Sequence, residues 1–161
     1  MGQEQSFALD AHLGKLARWL RMLGYDVTYD PQVTDTNLLE EGRKHDRIII
    51  TRDKELFQKA IKTNLNAILL KNDKITKQLK EIASRLKISL ELNPKRCSIC
   101  NGMLVKVQKR LLTQKVPERS LKAYKEFWEC QNCGKIFWPG IHWKNISKTL
   151  QKISKSVNTN K

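Results

Sequence analysis

Ile48-Ile49-Ile50-Thr51-Arg52-Asp53 is the stretch on which the fold turns. Three β-branched residues in a row, with no polar alternation, read as a strand buried on both faces. Such strands belong to parallel sheets covered by helices. Thr51 ends the strand, and residues 53–62 take up helical spacing. Downstream, Ala67-Ile68-Leu69-Leu70 reads as a fourth strand. Residues 73–86 then read as a helix, with Ile75, Leu79, Ile82, Ala83 and Leu86 on one face. Upstream, residues 35–45 read as a helix. Phe7-Ala8-Leu9 is a first strand ending at Asp10, and Leu13, Leu16, Ala17, Leu20 and Leu23 form a helical stripe stopped by Gly24. Tyr25 to Tyr29 is a second strand closed by Pro31, and residues 87–92 are expected to add a last one. The β-α-β-α order predicts an α/β fold built on a parallel sheet.

Asn93-Pro94 marks a boundary. The reading is an α/β domain over 1–92, a cysteine-bearing module over 93–145, and a basic helical tail over 146–161 that frays into disorder. Charge divides at the same place. Of the net +15, residues 1–92 carry +3 and residues 93–161 carry +12. A near-neutral domain joined to a basic one points to a polyanionic partner. A mean hydropathy of −0.55 and no apolar run near the roughly 18 residues of a membrane span argue against a membrane protein. No apolar segment of the secretory type stands near the start, so the chain is expected to be cytoplasmic. The opening Met1-Gly2-Gln3-Glu4-Gln5-Ser6 has the form of a myristoylation site, but a core strand follows at once.

In an open parallel sheet, ligands bind beyond the carboxyl ends of the strands. Asp10 follows the first strand, Asp53 the third, and Asp35 the loop after the second. Three carboxylates meeting at one edge would raise each other's pKa unless a divalent cation joined them. Mg²⁺ or Mn²⁺ suits oxygen ligands, and such an ion activates water against a phosphodiester. Glu55 is a candidate to orient that water or hold a second ion. Arg18 and Arg21, on the helix after Asp10, and Arg52 beside Asp53 are candidates for substrate phosphates. Asp35 and Asp53 also stand where helix N-caps belong, a role that asks for no chemistry.

Cys97-x-x-Cys100 and Cys130-x-x-Cys133 are two matched pairs. Paired spacing without a secretory signal favours metal over disulfides. Four thiolates complete a tetrahedron around Zn²⁺ and leave no open position, so the site is expected to be structural. With that site formed, the C-terminal part still carries about +10. Aromatic residues cluster among lysines at Phe127-Trp128 and at Phe137-Trp138-Pro139-Gly140-Ile141-His142-Trp143. Such side chains either stack on unpaired bases or form the small core of the ribbon, and the second is preferred for Trp128 and Phe137. His142 is not needed as a ligand beside four cysteines.

Together these motifs resemble the Mut-seven C-terminal RNase domain family, a PIN-like group. The resemblance is carried by Phe7-Ala8-Leu9-Asp10, Leu13-Gly14-Lys15-Leu16-Ala17-Arg18-Trp19-Leu20-Arg21, Leu23-Gly24-Tyr25-Asp26, Thr51-Arg52-Asp53-Lys54-Glu55-Leu56, Arg96-Cys97 to Cys100-Asn101-Gly102, and Trp138 to Trp143. It implies a PIN-like three-layer α/β/α nuclease fold followed by a zinc ribbon. It also implies an Mg²⁺ or Mn²⁺ site on Asp10, Asp35 and Asp53, with Glu55 standing in for the fourth acid that PIN-like nucleases often use.

The leading expectation is a metal-dependent endoribonuclease whose zinc ribbon helps grip RNA. The alternative is a non-catalytic RNA-binding or ribosome-associated module, with ribosomal RNA as a partner, and a third is a toxin-like RNase held by an inhibitor. The sequence leaves the oligomeric state open.

Overall fold

The computed structural model describes residues 4–159. The start of the myristoylation-like motif, Met1 to Gln3, lies outside them. The first half runs β1 (Ser6–Leu9), α1 (Gly14–Met22), β2 (Asp26–Tyr29), α2 (Asp35–His45), β3 (Ile48–Thr51), α3 (Lys54–Lys62), β4 (Ala67–Leu69) and α4 (Ile75–Leu86). The four strands form one parallel sheet in the order β2-β1-β3-β4. The sequence therefore placed these strands and helices correctly. Residues 87–92 form no strand. They run irregularly with Leu90 buried in the main core, and Asn93 N–H ties the end of this segment to the Met22 carbonyl of α1 (2.9 Å).

Strand pleating sorts the side chains onto two faces. Phe7, Leu9, Val27, Ile50 and Ile68 share one face, in register, and pack against α1 and α4. Ala8 and Ile49 face the other way, onto Leu38 of α2 and Leu56 and Ala60 of α3. This gives three layers, helix on sheet on helix. Gly42 lets α2 approach closely, since a Cβ there would lie 2.9 Å from the Ile49 side chain.

The second half contains β5 (Leu104–Lys106), a short 3-10 turn (Lys109–Leu111), α5 (Glu118–Ala123), β6 (Trp128–Cys130), β7 (Ile136–Phe137) and α6 (Ile141–Asn158). Strands β5, β6 and β7 make an antiparallel sheet carrying the cysteine turns. The long insertion between the cysteine pairs has a small core of its own, Leu112, Val116 and Phe127. The tail expected to be helical from residue 146 belongs to an 18-residue helix, Ile141–Asn158, that is ordered through Asn158 and packed. Ile146, Leu150 and Ile153 are buried in the same core as Phe7 and Leu16, and α6 packs on α4. Burial of that stripe holds the helix, so the α/β core is completed by the C-terminal end of the chain. Among the described residues, no helix is long and apolar enough to cross a membrane.

Candidate functional site

The strand order decides where a site belongs. After β1 the chain crosses to β2 over the α1 face, and after β3 it crosses to β4 over the α3 face. Neighbouring strands β1 and β3 thus send their connections to opposite faces, and it is beyond the carboxyl ends of such a pair that open α/β sheets bind ligands. Asp10 and Asp53 follow those two ends. Fully buried Thr51 links the carboxylate of the first to the backbone of the second. The Thr51 hydroxyl donates to Asp10 Oδ2 (2.8 Å) and accepts from Asp53 N–H (2.9 Å). Asp10 Oδ1 also accepts from the Ala11 N–H at 2.7 Å.

Asp53 caps α3, its Oδ1 accepting from the N–H groups of Glu55 (2.7 Å) and Leu56 (3.2 Å). Asp35 is not a cap. Thr34 caps α2 by accepting from Asn37 N–H (3.2 Å), and Asp35 is the first residue of the helix. Its Oδ2 receives the Lys59 ammonium at 3.0 Å. That contact, with the added charges of Glu55 and Asp53, lifts the Lys59 pKa above its ordinary value. The Lys59 cation therefore stands in the field of three of the four predicted acids. The acids do not converge as drawn from the sequence. Among the described residues, the cysteines form the one group of three or more His, Cys, Asp or Glu side chains close enough to share an ion.

The four cysteine sulfurs lie within 4.8 Å of one another. Cys97 and Cys133 are 3.8 Å apart, and Cys100 and Cys130 are 3.5 Å apart. Tetrahedral Zn²⁺ with bonds of about 2.3 Å needs sulfurs about 3.8 Å apart, so the cluster has the dimensions to hold a metal such as zinc. Gly102 makes the packing of this site feasible. A Cβ there would lie 2.7 Å from the Asn132 Cβ and 2.8 Å from Cys130 Sγ. The thiols differ in acidity. Burial pushes Cys97 up to about 12. Burial also acts against the Cys100 thiolate, but hydrogen bonds from Asn132 and Gly102 outweigh it and bring that thiol down to about 6.

Arg21 corrects an expectation. It was a candidate for substrate phosphates, yet it is 5% exposed, and its guanidinium donates to the Val27 carbonyl (2.9 and 3.1 Å) and the Ile99 carbonyl (2.9 Å). It is a tie between α1, the edge strand β2 and the first cysteine turn. Arg18 and Arg52 are exposed, as substrate contacts require. Sequence reasoning also missed Asn101. Held at φ +67° just after Cys100, it accepts from Val27 N–H (3.0 Å) and donates to Asp26 Oδ1 (2.7 Å). Asp26 further pairs with Arg47 (3.0 Å) and Arg96 (3.7 Å). Burial alone would raise the Asp26 pKa, and these partners bring it below the ordinary value instead. The available signal was the position of Asn101 in a cysteine turn, where Asn tolerates a left-handed backbone.

The fold and the site define a class: a parallel α/β domain with carboxylates following the strand ends at its switch point, carrying a four-cysteine ribbon. The Mut7-C RNAse domain family model matches residues 5–150, nearly the whole chain, and the protein belongs to that family. No curated protein and no solved structure matches it significantly.

Proposed function

We propose that this protein is a divalent-metal-dependent endoribonuclease, with its cleaving edge where β1 and β3 end and with a structural zinc on the four cysteines. The observation that supports this reading is that Asp10 and Asp53 follow the carboxyl ends of β1 and β3 at the switch point, with buried Thr51 bonding the Asp10 carboxylate and the Asp53 backbone N–H. The donor set fits the ion. Mg²⁺ commonly binds through one or two carboxylates, with substrate phosphate oxygens and waters completing the shell. Asp10 and Asp53 would supply those carboxylates without Asp35. A bound Mg²⁺ or Mn²⁺ would supply an activated water and neutralise charge on the phosphate.

The remaining roles follow from position. Thr51 fixes the Asp10 carboxylate, and the α3 cap fixes Asp53. Lys59 neutralises Asp35, and release of that pair would add a third carboxylate. Glu55, exposed in the first turn of α3, would orient a water. Arg52, exposed beside Asp53, is free to meet a phosphate there, and Arg18 is exposed on α1. The cysteine site has no open position, so its part is to shape the ribbon.

The test is cleavage of single-stranded RNA and DNA by the zinc-loaded chain, with and without added Mn²⁺. Asp10→Asn and Asp53→Asn are the variants, and Asn keeps the α3 cap because it also accepts at an N-cap. Metal-dependent cleavage of RNA that falls to background in both variants is the expected result. Wild-type rates in folded Asp53→Asn would sink the assignment.

A second reading is a non-catalytic RNA-binding or ribosome-associated module. It draws on the Asp35–Lys59 pair, which satisfies one of the acids without any metal. It predicts salt-sensitive RNA binding with no cleavage in Mn²⁺.

A further inference from the structure

α1 faces the ribbon and the start of α6 across a cleft of about 740 Å³. Its walls include Lys15, Arg18, Arg96 and His142, and no carboxylate lines it. Arg96 is held by Asp26 and the Asn101 carbonyl, whereas Lys15 and Arg18 are exposed and enter no ion pair among the described residues. A cleft with cations and no acids attracts an anion. Three of the four tryptophans, Trp19, Trp138 and Trp143, also line it, together with Phe137. Ile141, 73% exposed, and Ile99, 45% exposed, add apolar surface to it.

We infer that this cleft is a binding site for single-stranded RNA, with phosphates on Lys15 and Arg18 and bases against the aromatic walls. The joint presence of unpaired cations and accessible ring surface selects this occupant. A duplex keeps its base faces within its own stack and offers only backbone, whereas an unpaired strand offers both phosphates and bases. An acidic peptide would match the charge but would leave the tryptophan surface without flat partners.

The cleft also has a direction. Lys15 lies in the first turn of α1, which follows directly on the Asp10 loop, where Leu13 N–H donates to the Asp10 carbonyl (3.0 Å). From Lys15 to Met22 the helix supplies a wall of about 10 Å. A strand laid along that wall passes from the ribbon toward the Asp10 loop. The choice of RNA over DNA rests on the ribonuclease reading.

The experiment uses the full zinc-loaded chain carrying Asp10→Asn, so that RNA survives. Binding of a labelled oligouridine is followed by anisotropy and by tryptophan emission. Oligouridine is expected to quench much of the emission, because three of four tryptophans line the cleft. Lys15→Glu/Arg18→Glu should weaken binding by about tenfold or more and lower the salt slope by about 1.4. Lys62→Glu/Lys77→Glu, exposed residues outside the cleft with the same change in net charge, should weaken it by less than about threefold. Equal losses in the two double variants overturn the site, as does duplex RNA or oligothymidine binding more tightly than oligouridine. No oligonucleotide binding by the folded chain also overturns it and gives Ile99 and Ile141 to a protein partner. Binding with these signatures by a wild type that cleaves nothing sinks the ribonuclease reading alone.

Discussion

Replacing Asn101 by alanine tests whether the cysteine turn holds the edge of the nuclease-like sheet. The Val27 N–H points off the free side of β2, and Val27 is fully buried. Water cannot take the place of Asn101 Oδ1, so the variant leaves a buried orphan donor, at a cost of about 1–3 kcal/mol. It also removes a hydrogen bond to the Asp26 carboxylate, which keeps Arg47 and Arg96 and so loses less than a lone ion would. Alanine at φ +67° adds about 1 kcal/mol or more of backbone strain. The expected total is about 3 kcal/mol, roughly a 150-fold change in the folding constant. Asn101→Gly relieves the backbone term and keeps the rest, so it should recover about 1 kcal/mol. Urea unfolding of the zinc-loaded chain measures both, as a lower midpoint at unchanged slope. An Asn101→Ala unfolding free energy within about 0.5 kcal/mol of wild type would show that the turn does not hold the edge strand.

Three further outcomes follow from the same geometry. Gly102→Ala should push a methyl group into Cys130 Sγ and weaken metal binding by about 1–3 kcal/mol, read by competition with a chromophoric chelator; unchanged affinity would mean the turn yields freely. Leu150→Ala empties a site that is 1% exposed between α6 and the main core, so stability should fall by about 2–5 kcal/mol in thermal or urea unfolding, against almost nothing if α6 were a loose tail. The Asp26 pKa is held below its ordinary 3.8, so its stabilising contribution is complete above that value and drains away as pH falls through the lower, folded value. The stability gap between wild type and Asp26→Asn should therefore be flat near neutrality and close in acid, and a constant gap down to the acid transition would contradict the assigned partners.

The strands and the helices between them were legible because each is a local pattern. Ile48 to Ile50 has one reading wherever it sits, and the α1 stripe from Leu13 to Leu23 repeats at the helical period. The cysteine site was legible for a related reason, since a turn of two residues between thiols constrains both to one ion. The stripe Ile146, Leu150, Ile153 and Val157 was equally periodic, but the lysines around it read as a tail until the α4 partner was known. Position along the chain gave no hint that the last helix completes the first core.

By itself, the order of residues determined the four strands of the parallel sheet, which carboxylates would follow them and which thiols would gather, but not the ribbon strands or the irregular course of residues 87–92. Tertiary structure alone decided partners. Arg21 reads as an exposed basic residue until β2 and the cysteine turn close over it, and Asp35 reads as a metal ligand until Lys59 arrives from α3. Local patterns arise from backbone geometry and spacing, which a short segment carries with it. The neighbour that neutralises a charge or accepts a buried proton comes from elsewhere in the chain, and only packing brings the two together.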